Sequence, residues 1–125
     1  MDTQISTIEA PIINKMYEVL ELSVIVPTRN EAGNVVKLLQ SLEKAFSNRS
    51  IEVIFVDDSS DETPQVVEAS VNDFPSLHVK LVHRLAANRT GGLGGAVIAG
   101  LKIAQSEYAC VMDGDLQHPP ELVPV

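Results

Sequence analysis

Hydrophobic and polar positions along this chain alternate between two rhythms. Leu22-Ser23-Val24-Ile25-Val26 is a short run rich in β-branched residues, closed by Pro27, and it reads as a strand. A polar loop, Thr28 to Gly33, follows. Val35, Val36, Leu38, Leu39, Leu42, Ala45 and Phe46 then recur at helical spacing, with Lys37, Gln40 and Glu43 on the other side. That pattern predicts an amphipathic helix with Asn34 as its N-cap. Ile51 to Val56 is nearly all apolar, which predicts a strand buried on both faces, as in a parallel sheet. Thr63 and Pro64 can cap and open a second helix that reaches about Val71, with Val66, Val67 and Ala69 pointing one way. Val79 to His83 predicts a third strand, and a long loop runs from Arg84 to Gly95. A third helix is expected from Ala96 to Gln105, carrying Val97, Ile98, Leu101 and Ile103, and a fourth strand from Tyr108 to Met112.

Strand and helix thus repeat about every 25–30 residues, the size of a βαβ unit. Such units place their strands in one mostly parallel sheet with helices on both faces, which makes the expected class α/β. Residues 1–20 are polar with scattered Ile and predict a flexible lead-in, with a short helix near Asn14 to Leu20. Residues 21–125 form the expected domain. Pro119-Pro120-Glu121-Leu122 has the composition of a helix's first turn. It stands so close to Val125 that the domain is expected to be truncated at its C-terminus.

Parallel strands all point one way, so the loops after the first, second and fourth strands share one edge of the sheet. Pro27, Arg29, Asn30, Glu31, Asp57, Asp58, Asp113, Asp115 and Gln117 can therefore converge. Asp113-Gly114-Asp115 admits two readings. Asp-Gly is a common turn dipeptide. Two carboxylates one residue apart at a strand end can also hold a divalent cation, which takes oxygen ligands together with substrate phosphates. Of Asp57 and Asp58, the latter lies further out on its loop and is expected to face a ligand, while the other caps the turn. Gly91-Gly92-Leu93-Gly94-Gly95 satisfies neither the dinucleotide fingerprint nor the phosphate loop of NTPases. It reads either as a loop closing on a phosphate or sugar at a helix N-terminus, or as close packing of a helix on the sheet. Arg84 and Arg89 flank it and can neutralise a diphosphate or remain solvated. His118, beside Gln117, reads as a metal ligand or a general base, or as a turn residue that is neither, and His78 and His83 have no partner visible in the sequence.

Composition narrows the partners. The chain is 45% hydrophobic and 21% charged, ordinary for a globular domain, and its net charge is −8. That sign gives no general attraction to nucleic acid. A single cysteine, Cys110, excludes an internal disulfide and a cysteine-based zinc site, and suits a reducing cytoplasm. Asp2 and Glu9 stand where a signal peptide needs basic residues, and no run reaches the roughly 20 apolar residues of a membrane span.

In order, Val-Pro-Thr-Arg-Asn-Glu, Val-Asp-Asp-Ser-Ser-Asp-Glu-Thr, Gly-Leu-Gly-Gly-Ala and Met-Asp-Gly-Asp-Leu-Gln-His-Pro-Pro-Glu resemble the family 2 glycosyltransferases. Within them they resemble the branch of dolichol-phosphate mannose synthase and the polyprenyl-phosphate glycosyltransferases. The resemblance covers Leu22 to the end. It implies a GT-A fold, a Rossmann-like sheet that binds a nucleotide sugar (GDP-mannose or a UDP-sugar) with Mg²⁺ or Mn²⁺. Carried over, it puts Pro27, Arg29 and Glu31 at the nucleotide, Val56 and Asp58 at the base and ribose, and Asp113, Gly114 and Asp115 at the D-x-D. Asp113 and Asp115 are then the catalytic pair, and Gln117 joins them at the metal. Relatives often carry an aromatic residue at Arg29, so base stacking lacks its partner here. The implied reaction is inverting transfer to a polyprenyl or dolichyl phosphate, at the cytoplasmic face of a membrane reached through parts beyond this chain. The acceptor half of such a domain lies after the D-x-D strand, so the alternative is a nucleotide-binding fragment or regulatory module without transferase activity.

Overall fold

The computed structural model describes residues 19–114. The expected lead-in up to residue 18, Asp115, Gln117, and the helical turn expected at Pro119 lie outside the described residues. Within them run β1 (Leu22–Thr28), α1 (Ala32–Ala45), β2 (Ile51–Asp57), α2 (Thr63–Ser70), β3 (Val79–His83), α3 (Gly92–Ile103) and β4 (Ala109–Val111). Short 3-10 turns occupy Val71–Asp73, Pro75–Leu77 and Ala86–Asn88. The strands pair in the order β3-β2-β1-β4, all parallel.

The apolar runs explain this layering. On one face of the sheet Val24, Val26, Val53 and Phe55 pack with Val35, Leu38, Leu39 and Leu42 of α1 and Val67 of α2. On the other, Ile25, Ile54 and Val56 pack against Ala96 of α3. Helices therefore cover both faces, and all of β2 is buried, as its continuous apolarity predicts. Pro27 lies inside β1 instead of closing it. Ser23 donates its N–H to Tyr108, and Ile25 accepts from Met112. Alternation aims the Pro27 nitrogen toward β4 as well, beyond the last paired residue, Val111, so its missing N–H costs no ladder bond.

Three expectations are corrected by packing. The first helix begins at Ala32, not Val35, because Asn34 donates its backbone N–H to the Glu31 carbonyl instead of capping. In α2 the buried face is Thr63, Pro64, Val67 and Ser70, while Ala69 is exposed. In α3 the sheet-facing residues are the small ones, Ala96 and Gly100. A Cβ on Gly100 would sit 2.7 Å from Ile25 and 3.2 Å from Val56. The helix lies so close that Leu93, Ile98, Leu101 and Ile103 stay outside.

One buried acid anchors the opposite edge of the sheet. Glu52 is fully buried in β2. It accepts from Ser23 of β1 at 2.5 Å, Lys80 of β3 at 2.6 Å, and the Gln105 N–H after α3 at 2.5 Å. Burial alone would raise its pKa, yet the Gln105, Lys80 and Ser23 hydrogen bonds and the Lys80 charge carry it below the ordinary value.

Candidate functional site

The chain lays β1, β2 and β3 side by side in one direction, then crosses back to set β4 on the far side of β1. Between β1 and β4 the order reverses, and in open parallel sheets ligands bind in the crevice at the carboxyl ends of such strands. A cleft of about 470 Å³ lies there, within the usual size range for a small-molecule site. Pro27, Thr28, Arg29 and Glu31 reach it from β1, Asp58 from β2, Asp113 and Gly114 from β4, and Gly92, Leu93 and Ala96 from α3.

The loops after β1 and β2 are laced together, which fixes the side chains they present. Asp57, fully buried, accepts from Thr28 Oγ1 at 2.6 Å, from the Ser59 hydroxyl at 2.6 Å and from the Ser59 N–H at 3.1 Å. His83 Nδ1 lies 2.9 Å from the same carboxylate. Asn30 adopts a left-handed conformation, φ 54°, and its Oδ1 accepts from the Ser60 and Asp61 N–H groups at 3.0 and 3.3 Å. Its own N–H donates to Ser59 Oγ at 2.7 Å, and the Glu31 N–H to Thr63 Oγ1 at 3.1 Å. Asp57 is thus an internal bracket, while Asp58 turns to the cleft.

Asp58 is held from behind. Arg84 Nε and Nη2 donate to its two oxygens at 2.8 and 2.7 Å. The Arg84 hydrogen bond is the main cause that depresses the Asp58 pKa; burial opposes it, and the charges of Arg84, Arg89 and Arg29 add to it. Asp58 is therefore ionised at neutral pH and serves as an acceptor only. Glu31 Oε1 accepts the Arg29 N–H at 3.0 Å. A Cβ on Gly114 would stand 3.0 Å from Glu31 Oε2 and from Thr28, so glycine there lets the end of β4 close against the first loop. Among the described residues that line the cleft, the acids Glu31, Asp58 and Asp113 face it with the single cation Arg29.

The structure brings Pro27, Arg29, Glu31, Asp58, Asp113 and Gly114 together. It does not bring the Val56 side chain, which strand alternation turns into the packed layer under α3, where it is fully buried. Asp115 and Gln117 lie outside the described residues. Among the described residues no three His, Cys, Asp or Glu side chains form a group able to hold a metal ion, and no helix is long and apolar enough to cross a membrane. Sequence reasoning left Thr28 and Ala96 unassigned, and for Gly92 and Leu93 it left open a loop closing on a phosphate or sugar and close packing of a helix on the sheet. The glycine run, which forms the N-cap and first turn of α3 so that the helix begins at Gly92 and not at the expected Ala96, was the available signal for this wall of the cleft. Arg84 and Arg89 are engaged with protein atoms: Arg89 donates to the Arg84 carbonyl and the Ser59 carbonyl, each at 3.0 Å.

Comparison with known proteins places these residues in a wider group. The profile of Glycosyl transferase family 2 matches residues 23–125. A dolichol-phosphate mannosyltransferase of Pyrococcus furiosus is 38% identical over 106 residues, covering 84% of this chain and 28% of that protein. An undecaprenyl-phosphate 4-deoxy-4-formamido-L-arabinose transferase of Pseudomonas aeruginosa is 31% identical over 113 residues, covering 88% and 32%. The chain thus spans about a third or less of these relatives. Among solved structures, S. aureus TarS 1-349 in complex with UDP-GlcNAc superposes with a TM-score of 0.62 at 35% identity, over 77% of this chain and 27% of that one.

Proposed function

The chain belongs to glycosyl transferase family 2, and on that footing we propose that it is the donor-binding part of a glycosyltransferase. Its donor is a UDP- or GDP-sugar and its acceptor a polyprenyl or dolichyl phosphate. The observation that carries this reading is the convergence of Arg29, Glu31, Asp58, Asp113 and Gly114 on one cleft at the strand-order reversal. The UDP-GlcNAc complex of a structural relative supports the donor class, and the names of the polyprenyl-phosphate transferases support the acceptor class.

In this reading Asp58, ionised and fixed, accepts hydrogen bonds from the nucleoside, whose ribose hydroxyls and base N–H groups are donors. Arg29 faces the diphosphate, and Leu93 and Ala96 supply the apolar wall. The residues that would hold a divalent cation are Asp113 with Asp115 and Gln117. Their donors are all oxygen, the set that Mg²⁺ or Mn²⁺ takes, and such an ion supplies positive charge against the leaving diphosphate. Transfer is a displacement at the anomeric carbon. An acceptor phosphate oxygen forms the new C–O bond on one face as the bond to the diphosphate breaks on the other. The electron pair leaves with the nucleoside diphosphate and the centre inverts. The acceptor oxygen is already anionic, so this step requires no general base from the chain.

Titration calorimetry with UDP and with GDP, each with and without Mn²⁺ or Mg²⁺, tests the reading. One nucleotide is expected to bind more tightly with the cation, and Asp115→Ala to remove that difference. A folded chain that binds neither nucleotide under any of these conditions refutes the proposal.

A further inference from the structure

Arg84 is charged, yet only 8% exposed. A buried guanidinium is tolerated only when its N–H groups find acceptors, and the acceptors here come from two parts of the cleft wall. Nε and Nη2 hold both oxygens of Asp58 side-on, the bidentate geometry that fixes a carboxylate in position and in plane. Nη2 also donates to the Gly92 carbonyl at 2.9 Å, and Nη1 to the Thr90 carbonyl at 3.2 Å. Those carbonyls flank Gly91, whose φ of 80° starts α3. Gly95 leaves room for the arrangement: a Cβ there would stand 3.0 Å from Nη1 and collide with the Thr90 carbonyl oxygen at 1.9 Å. The Arg84 backbone is fixed too, its N–H donating to the Asp57 carbonyl at 2.8 Å and its carbonyl accepting from Arg89.

Resting on the reading of the cleft as a nucleotide-sugar site, we propose that Arg84 is a positioning residue for the donor. By gripping Asp58 and the Thr90 and Gly92 carbonyls together, it sets the acid and the glycine turn as one wall against which the nucleotide binds. The glycine run is then a fixed wall rather than a closing loop. Lysine, whose three donors all sit on one nitrogen, cannot span the carboxylate and both carbonyls at once.

UDP and GDP titrations into the 125-residue chain and its Arg84→Gln, Arg84→Lys, Asp58→Asn and Asp58→Asn/Arg84→Gln forms test this, with thermal melts confirming that each folds. Arg84→Gln is expected to weaken binding about tenfold, the size of a hydrogen bond to a charged group. Arg84→Lys is expected to recover only part of it. The double variant is expected to lose less than tenfold relative to Asp58→Asn, because part of the Arg84 effect runs through Asp58 and only the grip on the Thr90 and Gly92 carbonyls is left to lose. Binding to Arg84→Gln is also expected to fall away at a higher pH than binding to the wild type. Without Arg84 only Arg29 and Arg89 remain to disfavour protonation of Asp58, and a purely structural role would not move that profile. Wild-type affinity in a folded Arg84→Gln, or an equal further loss in the Asp58→Asn background, overturns the proposal. If Arg84→Gln does not fold, wild-type affinity in Arg84→Lys overturns it. Failure of the wild type to bind either nucleotide removes the reading of the cleft, and the proposal with it; unaffected variants of a wild type that binds remove the proposal alone.

Discussion

Gly94 and Gly95 are neighbours in α3 with opposite requirements. A Cβ on Gly94 would meet nothing within 4 Å, whereas one on Gly95 would meet the Thr90 carbonyl oxygen at 1.9 Å. Alanine gains about 1 kcal/mol over glycine inside a helix, but a backbone clash costs about 1–3 kcal/mol or more. Gly94→Ala is therefore expected to raise stability by up to about 1 kcal/mol, and Gly95→Ala to lower it by about 1–3 kcal/mol. Urea unfolding of both variants checks the sign; a stabilised Gly95→Ala would contradict the packing described here. The glycine run was visible in the sequence as a cluster with two open readings. The structure gives the positions separate jobs: Gly91 and Gly92 make the turn, with φ of 80° and 55°, and Gly95 and Gly100 let the helix approach. Neither φ nor a neighbour's distance is written in a glycine's identity. Arg84 shows the same limit, since its partner Asp58 comes from another strand end.

At the level of elements, apolar periodicity located each strand and helix among the described residues, because burial on one face or both is what sets that period. It assigned faces less well. In α3 the large apolar residues point outward, since Ala96 and Gly100 permit a closer approach than Leu101 would. In β2 the apolar run conceals Glu52, whose partners come from β1, β3 and the segment after α3. Lys80 contributes to the depressed Glu52 pKa, so the pair stabilises the fold fully above the ordinary carboxyl value of 4.5 and ceases to do so as pH falls through the lowered one. Lys80→Met leaves Glu52 only the Ser23 and Gln105 donors and is expected to cost about 1–3 kcal/mol at neutral pH, a deficit that shrinks as Glu52 protonates. Urea unfolding at about pH 7 and about pH 3 measures this; a deficit equal at both would contradict it.

The whole molecule turns on where the chain reverses its strand order. A parallel α/β sheet was legible from the 25–30-residue alternation, and so was a shared edge for the acid-bearing loops. Which strands are neighbours was not, because a crossover leaves no mark in composition. The order β3-β2-β1-β4 puts Asp113 and Gly114 beside Arg29 and Glu31, and it is this adjacency that makes one cleft of three loops. A second groove, about 590 Å³ and larger, has Asn88, Ile98 and Lys102 in its lining and no carboxylate among the described residues that line it. Chemistry rather than volume selects the first. Mapping of backbone amide shifts as UDP and then GDP are added, in the presence of Mn²⁺-free Mg²⁺ buffer, tests that selection most directly. One nucleotide is expected to move the amides of Arg29, Glu31, Asp58, Leu93, Asp113 and Gly114 together. Shifts confined to Asn88, Ile98 and Lys102, or none with either nucleotide, would contradict it.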